Sequence, residues 1–208
     1  MKVKVKICGL TREEDVEAAL EYGADALGFI LYPKSPRYVP PDRLKTLLAL
    51  VPPFVQTVGV GVNLTPDEIL FLEKEVWLNL YQLHGVAISE ILSTLPPRRL
   101  IRSYGLPDSS ALDEAETLKV KVAGFHLDKA SPQHGGTGET FDWSLAVEFA
   151  KKIGKPIILA GGLNAGNVAE AIRVVRPYAI DVSSGVEVSP GRKDPGKLKD
   201  FIQICRQM

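Results

Sequence analysis

PIILAGGLNAGNVAEAIRVVRPYAIDVSSGV, residues 156–186, holds one full period of the pattern on which the fold depends. A short apolar run, Pro156–Ala160, ends in Gly161-Gly162. A helical pattern follows, Pro177 stops it, and a second apolar run, Ala179–Ser183, leads into Gly185. Runs rich in valine, isoleucine and leucine, without polar alternation, suit strands buried on both faces. Such strands belong to parallel sheets whose crossovers are helices.

The same alternation extends back to the first residues. Further strand candidates are Val3–Cys8, Ala26–Leu31, Gln56–Asn63, Asn79–Leu83, Leu100–Tyr104 and Val122–Asp128. Helix starts are marked by Thr11 with Glu14 and by Thr65-Pro66-Asp67-Glu68, both capping-box patterns. Asp142, Asn164 and Asp194 are candidate caps for later helices, the last with Pro195 just inside. Pro52-Pro53, Pro96-Pro97 and Pro177 stand where helices should stop. The spacing predicts eight strands and eight helices, strand first. An open doubly wound sheet and a closed barrel both accept such alternation, but eight units with none missing favour closure. The expected fold class is therefore α/β: one (β/α)8 TIM barrel with short loops, a single domain over residues 1–208. The first strand is not followed by G-x-G-x-x-G, which argues against a dinucleotide fold.

Composition narrows the function classes. Lysine plus arginine equals aspartate plus glutamate, 25 each, so no net field favours nucleic acid or an anionic membrane. No apolar stretch is long enough to span a bilayer, and MKVKVKICG lacks the apolar core of a signal peptide. Two cysteines are too few for a disulfide framework. A cytoplasmic protein without nucleic-acid or membrane partners is expected, as a monomer or a homodimer. The three histidines and scattered acids have no compact ligand spacing, so no metal is expected.

Strand parity then places side chains. In the first strand Lys2, Lys4, Lys6 and Cys8 share one face. If Cys8 points into the barrel, Lys6 does too, and a buried ammonium needs a partner. Asp181 on the last strand is the expected one, because first and last strands pair when a barrel closes. Cys8 and Asp128 each end a strand on the face where barrel active sites assemble. They form a candidate base and acid: a thiolate can remove a carbon-bound proton, and a shielded carboxyl can hold and donate one. The shield would be the glycine-rich stretch KASPQHGGTGETFDW, residues 129–143. Gly161, Gly162, Ser183, Ser184 and Gly185 lie in the loops after strands seven and eight, where backbone N–H groups can cradle a phosphate. Arg37, in YPKSPRY, suits a carboxylate at the barrel mouth. His84 either lines the pocket or caps a backbone group. His126 shares parity with Asp128 and reads as a satisfied interior histidine. Cys205, in a terminal helix pattern, reads as a small buried hydrophobe.

KICGLT, GADALGFILYPKSPRY, YQLHG, GGTGETFDW, ILAGGLN and DVSSGVE, in this order, resemble the phosphoribosylanthranilate isomerase family. The resemblance covers essentially the whole chain. It implies a cofactor-free Amadori rearrangement of a phosphorylated aminoaldose, N-(5-phosphoribosyl)anthranilate, to 1-(2-carboxyphenylamino)-1-deoxyribulose 5-phosphate, the third step of tryptophan biosynthesis. By position, the family's base falls on Cys8, its acid on Asp128 and its carboxylate-holding arginine on Arg37. Three positions depart from the family pattern: Gly61 replaces a bulkier residue, Arg102 a lysine and His126 an apolar side chain. Each bears on pocket shape rather than on the acid–base pair. A pentose-phosphate epimerase would want metal ligands from several strand ends, and indoleglycerol-phosphate synthase a catalytic lysine and glutamate there. Neither set is evident. A silent barrel that only binds a phosphorylated ligand is the rival of another class.

Overall fold

The structure is a computed structural model that describes residues 2–85, 88–108, 110–130 and 140–208. Eight strands close a wholly parallel barrel in sequence order. They are β1 (Lys4–Cys8), β2 (Ala26–Ile30), β3 (Gln56–Val62), β4 (Leu80–His84), β5 (Leu100–Leu106), β6 (Gly124–Lys129), β7 (Ile157–Leu159) and β8 (Ala179–Val182). All eight expected strands are present, displaced by at most two residues at their ends. Closure is made by β1 against β8, with Lys6 opposite Asp181.

The helices are α1 (Glu13–Glu21), α2 (Pro41–Leu48), α3 (Pro66–Glu75), α4 (Ile88–Ile91), α5 (Ala111–Leu118), α6 (Trp143–Ile153), α7 (Val168–Val175) and α8 (Pro195–Gln207), the first seven lying between consecutive barrel strands and α8 after the last. The fourth is a single turn, followed by a 3₁₀ turn at Pro97–Arg99. The main core lies between strands and helices. Val5, Ile7, Leu27, Phe29, Leu83, Phe125, Leu127 and Leu159 face outward onto the helices, which contribute residues such as Val16, Leu47, Ile69, Ala115 and Phe201. Cys205 is buried on α8 as expected. Among the described residues no helix is long and apolar enough to cross a membrane.

The helix caps divide. Thr65 and Glu68 form the reciprocal capping box, Asp142 accepts from Ser144 N, and Asp194 accepts from Lys197 N. Thr11 does not cap α1: Arg12 is the N-cap, and the Thr11 hydroxyl donates instead to Gly191 O, 2.6 Å away. A partner 180 residues distant has outcompeted the local amide. Asn164 also fails as a cap. Its carboxamide accepts from Gly166 N at 2.8 Å, shaping the turn, and α7 begins later with Asn167 at the N-cap.

One element was not foreseen. After β8 comes a 3₁₀ turn, Ser184–Val186, and then an antiparallel hairpin of β9 (Glu187–Ser189) and β10 (Arg192–Lys193). The glycine-rich stretch after β6 runs through positions 131–139, outside the described residues.

Candidate active site

The strands deliver their C-terminal residues to one cavity of about 530 Å³. Cys8 ends β1, Asp128 lies near the end of β6 three strands away around the ring, and both line it. Gly161, Gly162, Ser183, Ser184 and Gly185 form one wall, while Arg37, His84 and His126 line others. A volume of this size suits a small-molecule ligand.

The two titratable candidates are tuned by their surroundings. Burial pushes the Cys8 thiol up; Lys6 and Lys193 pull it back down without cancelling the effect, and Asp181 adds to it. The sulfur fits because Gly28 lies beside it on β2, where a β-carbon would stand 2.8 Å from Sγ. Asp128 is raised above the ordinary aspartate range, chiefly by burial, despite the opposing influence of His126 and a 2.7 Å hydrogen bond from Lys129 N. A carboxyl raised in this way retains its proton to higher pH than a solvated one.

Beneath them runs a chain of buried polar groups. Lys6 Nζ donates to Asp181 Oδ2 at 2.8 Å, the contact expected from parity. His126 Nε2 lies 2.9 Å from the same oxygen, and its Nδ1 lies 2.7 Å from Ser103 Oγ. His126 is thus the satisfied interior histidine expected. Asp181 Oδ1 and Ser183 Oγ are buried with no hydrogen-bond partner among the described residues. Burial alone would push Asp181 up, but Lys6 and then His126 outweigh it and hold the carboxyl at about 2, below the usual 3.8. The stabilisation from this lowering is fully present above the unfolded value and is lost as pH falls from 3.8 toward about 2. Its size is on the order of 2 kcal/mol. Urea unfolding across that window is expected to show the decline, and a Lys6→Met, Asp181→Leu double variant to lack this part of it. An identical acid limb in the double variant would assign the sensitivity elsewhere.

Arg37 is buried, with Nε and Nη2 on Glu187 at 2.7 to 3.2 Å. Its fork already grips a carboxylate of the protein, which leaves Nη1 as the guanidinium nitrogen not engaged by Glu187. His84 lies in the pocket wall, its Nε2 3.2 Å from Gln82 Nε2.

Two departures noted in the sequence prove remote from the cavity. A β-carbon on Gly61 would meet Leu64 Cδ1 at 2.2 Å, so leucine fills the space on the outer side of β3, while Val60 and Val62 face the cavity. Gly61 therefore does not widen the pocket. Arg102 also points outward, to Glu114 at 3.2 Å and over the Tyr104 ring. Of the three positions, His126 alone shapes the cavity. Glu187 and Lys193 were missed. Their segment, EVSPGRK, is short and charged, and no apolar period distinguishes it from a solvated loop.

Residues 5–204 match the family described as N-(5′-phosphoribosyl)anthranilate (PRA) isomerase. The chain is 48% identical over 204 residues to the N-(5′-phosphoribosyl)anthranilate isomerase of Geotalea uraniireducens (strain Rf4), covering 98% of each sequence. It is similar to the crystal structure of phosphoribosyl anthranilate isomerase from Thermotoga maritima, with a TM-score of 0.88, 41% identity and coverage of 99% and 100%. A second solved isomerase is in complex with reduced 1-(o-carboxyphenylamino)-1-deoxyribulose 5-phosphate. It matches with a TM-score of 0.83, 38% identity and the same coverage.

Proposed function

This chain belongs to the N-(5′-phosphoribosyl)anthranilate isomerase family and is an isomerase of tryptophan biosynthesis; from that premise we propose that Cys8 is its general base and Asp128 its general acid. The observation that carries the assignment is their placement at two strand ends of one cavity, beside two glycine-bearing turns. Asp128 donates its proton to the furanose ring oxygen, the bond from that oxygen to sugar carbon 1 breaks, and an iminium forms. The iminium acidifies the proton on carbon 2, and the Cys8 thiolate takes it to give the enolamine. Tautomerisation to the ketone returns both groups to their starting states, because the isomerisation neither consumes nor releases a proton overall.

The phosphate is assigned to the turns after β7 and β8. Gly161 and Gly162 have φ of +89° and +63°, values a side chain would strain. A β-carbon on Gly185 would stand 1.9 Å from Leu163 O, so only glycine lets the two turns meet. Gly185→Ala is therefore expected to push them apart and raise KM about tenfold or more, since each 1.4 kcal/mol of lost contact is a factor of ten. Steady-state kinetics that leave KM unchanged would move the phosphate elsewhere. Ser183, whose hydroxyl is buried without a partner among the described residues, is assigned to the same anion. Arg37 is assigned to the anthranilate carboxylate through Nη1. The proposed setting is a reducing cytoplasm, supported by the two free thiols, with no nucleic-acid partner, supported by the balanced charge.

The assay is direct. Purified protein, with chelator and without nucleotide, is expected to abolish the anthranilate fluorescence of N-(5′-phosphoribosyl)anthranilate. Binding of the phosphorylated aminoaldose without fluorescence loss would support the silent barrel instead.

A further inference from the structure

The hairpin after β8 places a lysine where a charge is costly. The Lys193 side chain is wholly buried, and an ammonium removed from water costs several kcal/mol unless every donor is used. An ammonium has three donors. Three acceptors surround Nζ: Glu187 Oε1 at 2.8 Å, Cys8 O at 2.5 Å and Ser183 O at 3.2 Å. They come from the hairpin, the end of β1 and the residue after β8. The backbone of Lys193 is held as well, its N–H donating to buried Asp15 at 3.0 Å. Thr11, beyond the end of β1, latches the turn of the hairpin through Gly191 O. Glu187 completes the cluster, accepting from Arg37, Lys193 and Gly191 N. Two buried cations thus share one carboxylate beside the thiol.

We propose that Lys193 is a positioning residue for the isomerisation, its ammonium clamping the carbonyls of Cys8 and Ser183 so that the base is held in fixed relation to the turn assigned to the phosphate. The inference rests on the reading of Cys8 as base. The charged groups acting on the thiol come from four segments: Lys6 on β1, Arg37 in the loop after β2, Asp181 on β8 and Lys193 on β10. Lys193 pulls the thiol toward thiolate, so the clamp also raises the fraction of base in its reactive form.

Lys193→Met keeps the bulk and removes charge and donors, while the Arg37–Glu187 pair remains as a neutral unit. Lys193→Gln offers a donor without charge and serves if the methionine variant does not fold. Two readouts are taken: steady-state kinetics, and the pH dependence of iodoacetamide alkylation located on Cys8 by peptide mapping. The expected result is a kcat lower by about 10-fold or more, the value of one hydrogen bond to a charged group. KM should change little, and the alkylation midpoint should move to higher pH. A folded variant with unchanged kcat, or one in which KM alone rises, would overturn the proposal. So would an unmoved alkylation midpoint. Failure of the underlying reading is seen separately, as turnover retained by Cys8→Ser, and alkylation in the Lys193 variants does not depend on that outcome.

Discussion

Cys8→Ser is expected to lower kcat by roughly three orders of magnitude or more, at the upper end of what a general base contributes. A hydroxyl is a far weaker acid than a thiol, so almost none is ionised where a thiolate begins to form. The environment accentuates this difference. Burial already pushes the thiol up despite the restraint of Lys6 and Lys193, and the same burial would suppress a serine alkoxide entirely. The substitution is smaller than the sulfur it replaces and meets the open face of Gly28, so the barrel has no steric reason to unfold. Affinity for the reduced product analogue should change little, because the turns assigned to the phosphate and Arg37 are untouched. Near-normal turnover in this variant would remove Cys8 from the mechanism.

Asp128→Asn is expected to slow turnover on the order of 100-fold or more, the contribution of a lost general acid. The amide keeps an acceptor for Lys129 N, so the backbone at the end of β6 has no cause to move. The pH profile carries the sharper signature. Reaction needs a thiolate and a protonated carboxyl together, and burial pushes both groups up from ordinary values of 9.0 and 3.8. The competent pair is thus a minority form at nearly constant population between the two macroscopic ionisations, with activity falling outside both. Removing the carboxyl should abolish the alkaline fall. The residual rate of the variant should climb with pH and level off once the thiol has ionised. A variant that retains the wild-type alkaline limb would show that another group donates the proton.

The barrel was legible because its causes are local and repeated. Eight short apolar runs, prolines at helix ends and glycines after strands are each written within a few residues. The Lys6–Asp181 contact was legible for a different reason: strand parity and closure together leave an inward lysine one nearby strand on which to find a carboxylate. Parity also explains why Gly61 does not shape the pocket: it shares a face with Gly59 rather than with the cavity-lining Val60 and Val62. The failures elsewhere share a long reach. Thr11 looked like a cap because its competitor, Gly191 O, lies 180 positions away. Arg37 read as a fork for a ligand carboxylate, with no local sign of Glu187, which engages it from 150 positions on. Lys193 gave no signal at all, since nothing local marks a lysine whose acceptors are carbonyls at the ends of the first and last strands.

Central to this account is a division of labour, with ring opening assigned to Asp128 and removal of the carbon 2 proton to Cys8. Substrate deuterated at sugar carbon 2 separates the steps within the slow variants themselves. In Cys8→Ser the C–H cleavage should limit the residual rate and show a full primary isotope effect. In Asp128→Asn ring opening should limit it, and the deuterium should make almost no difference. The opposite pattern, or equal effects in both variants, would contradict the assignment.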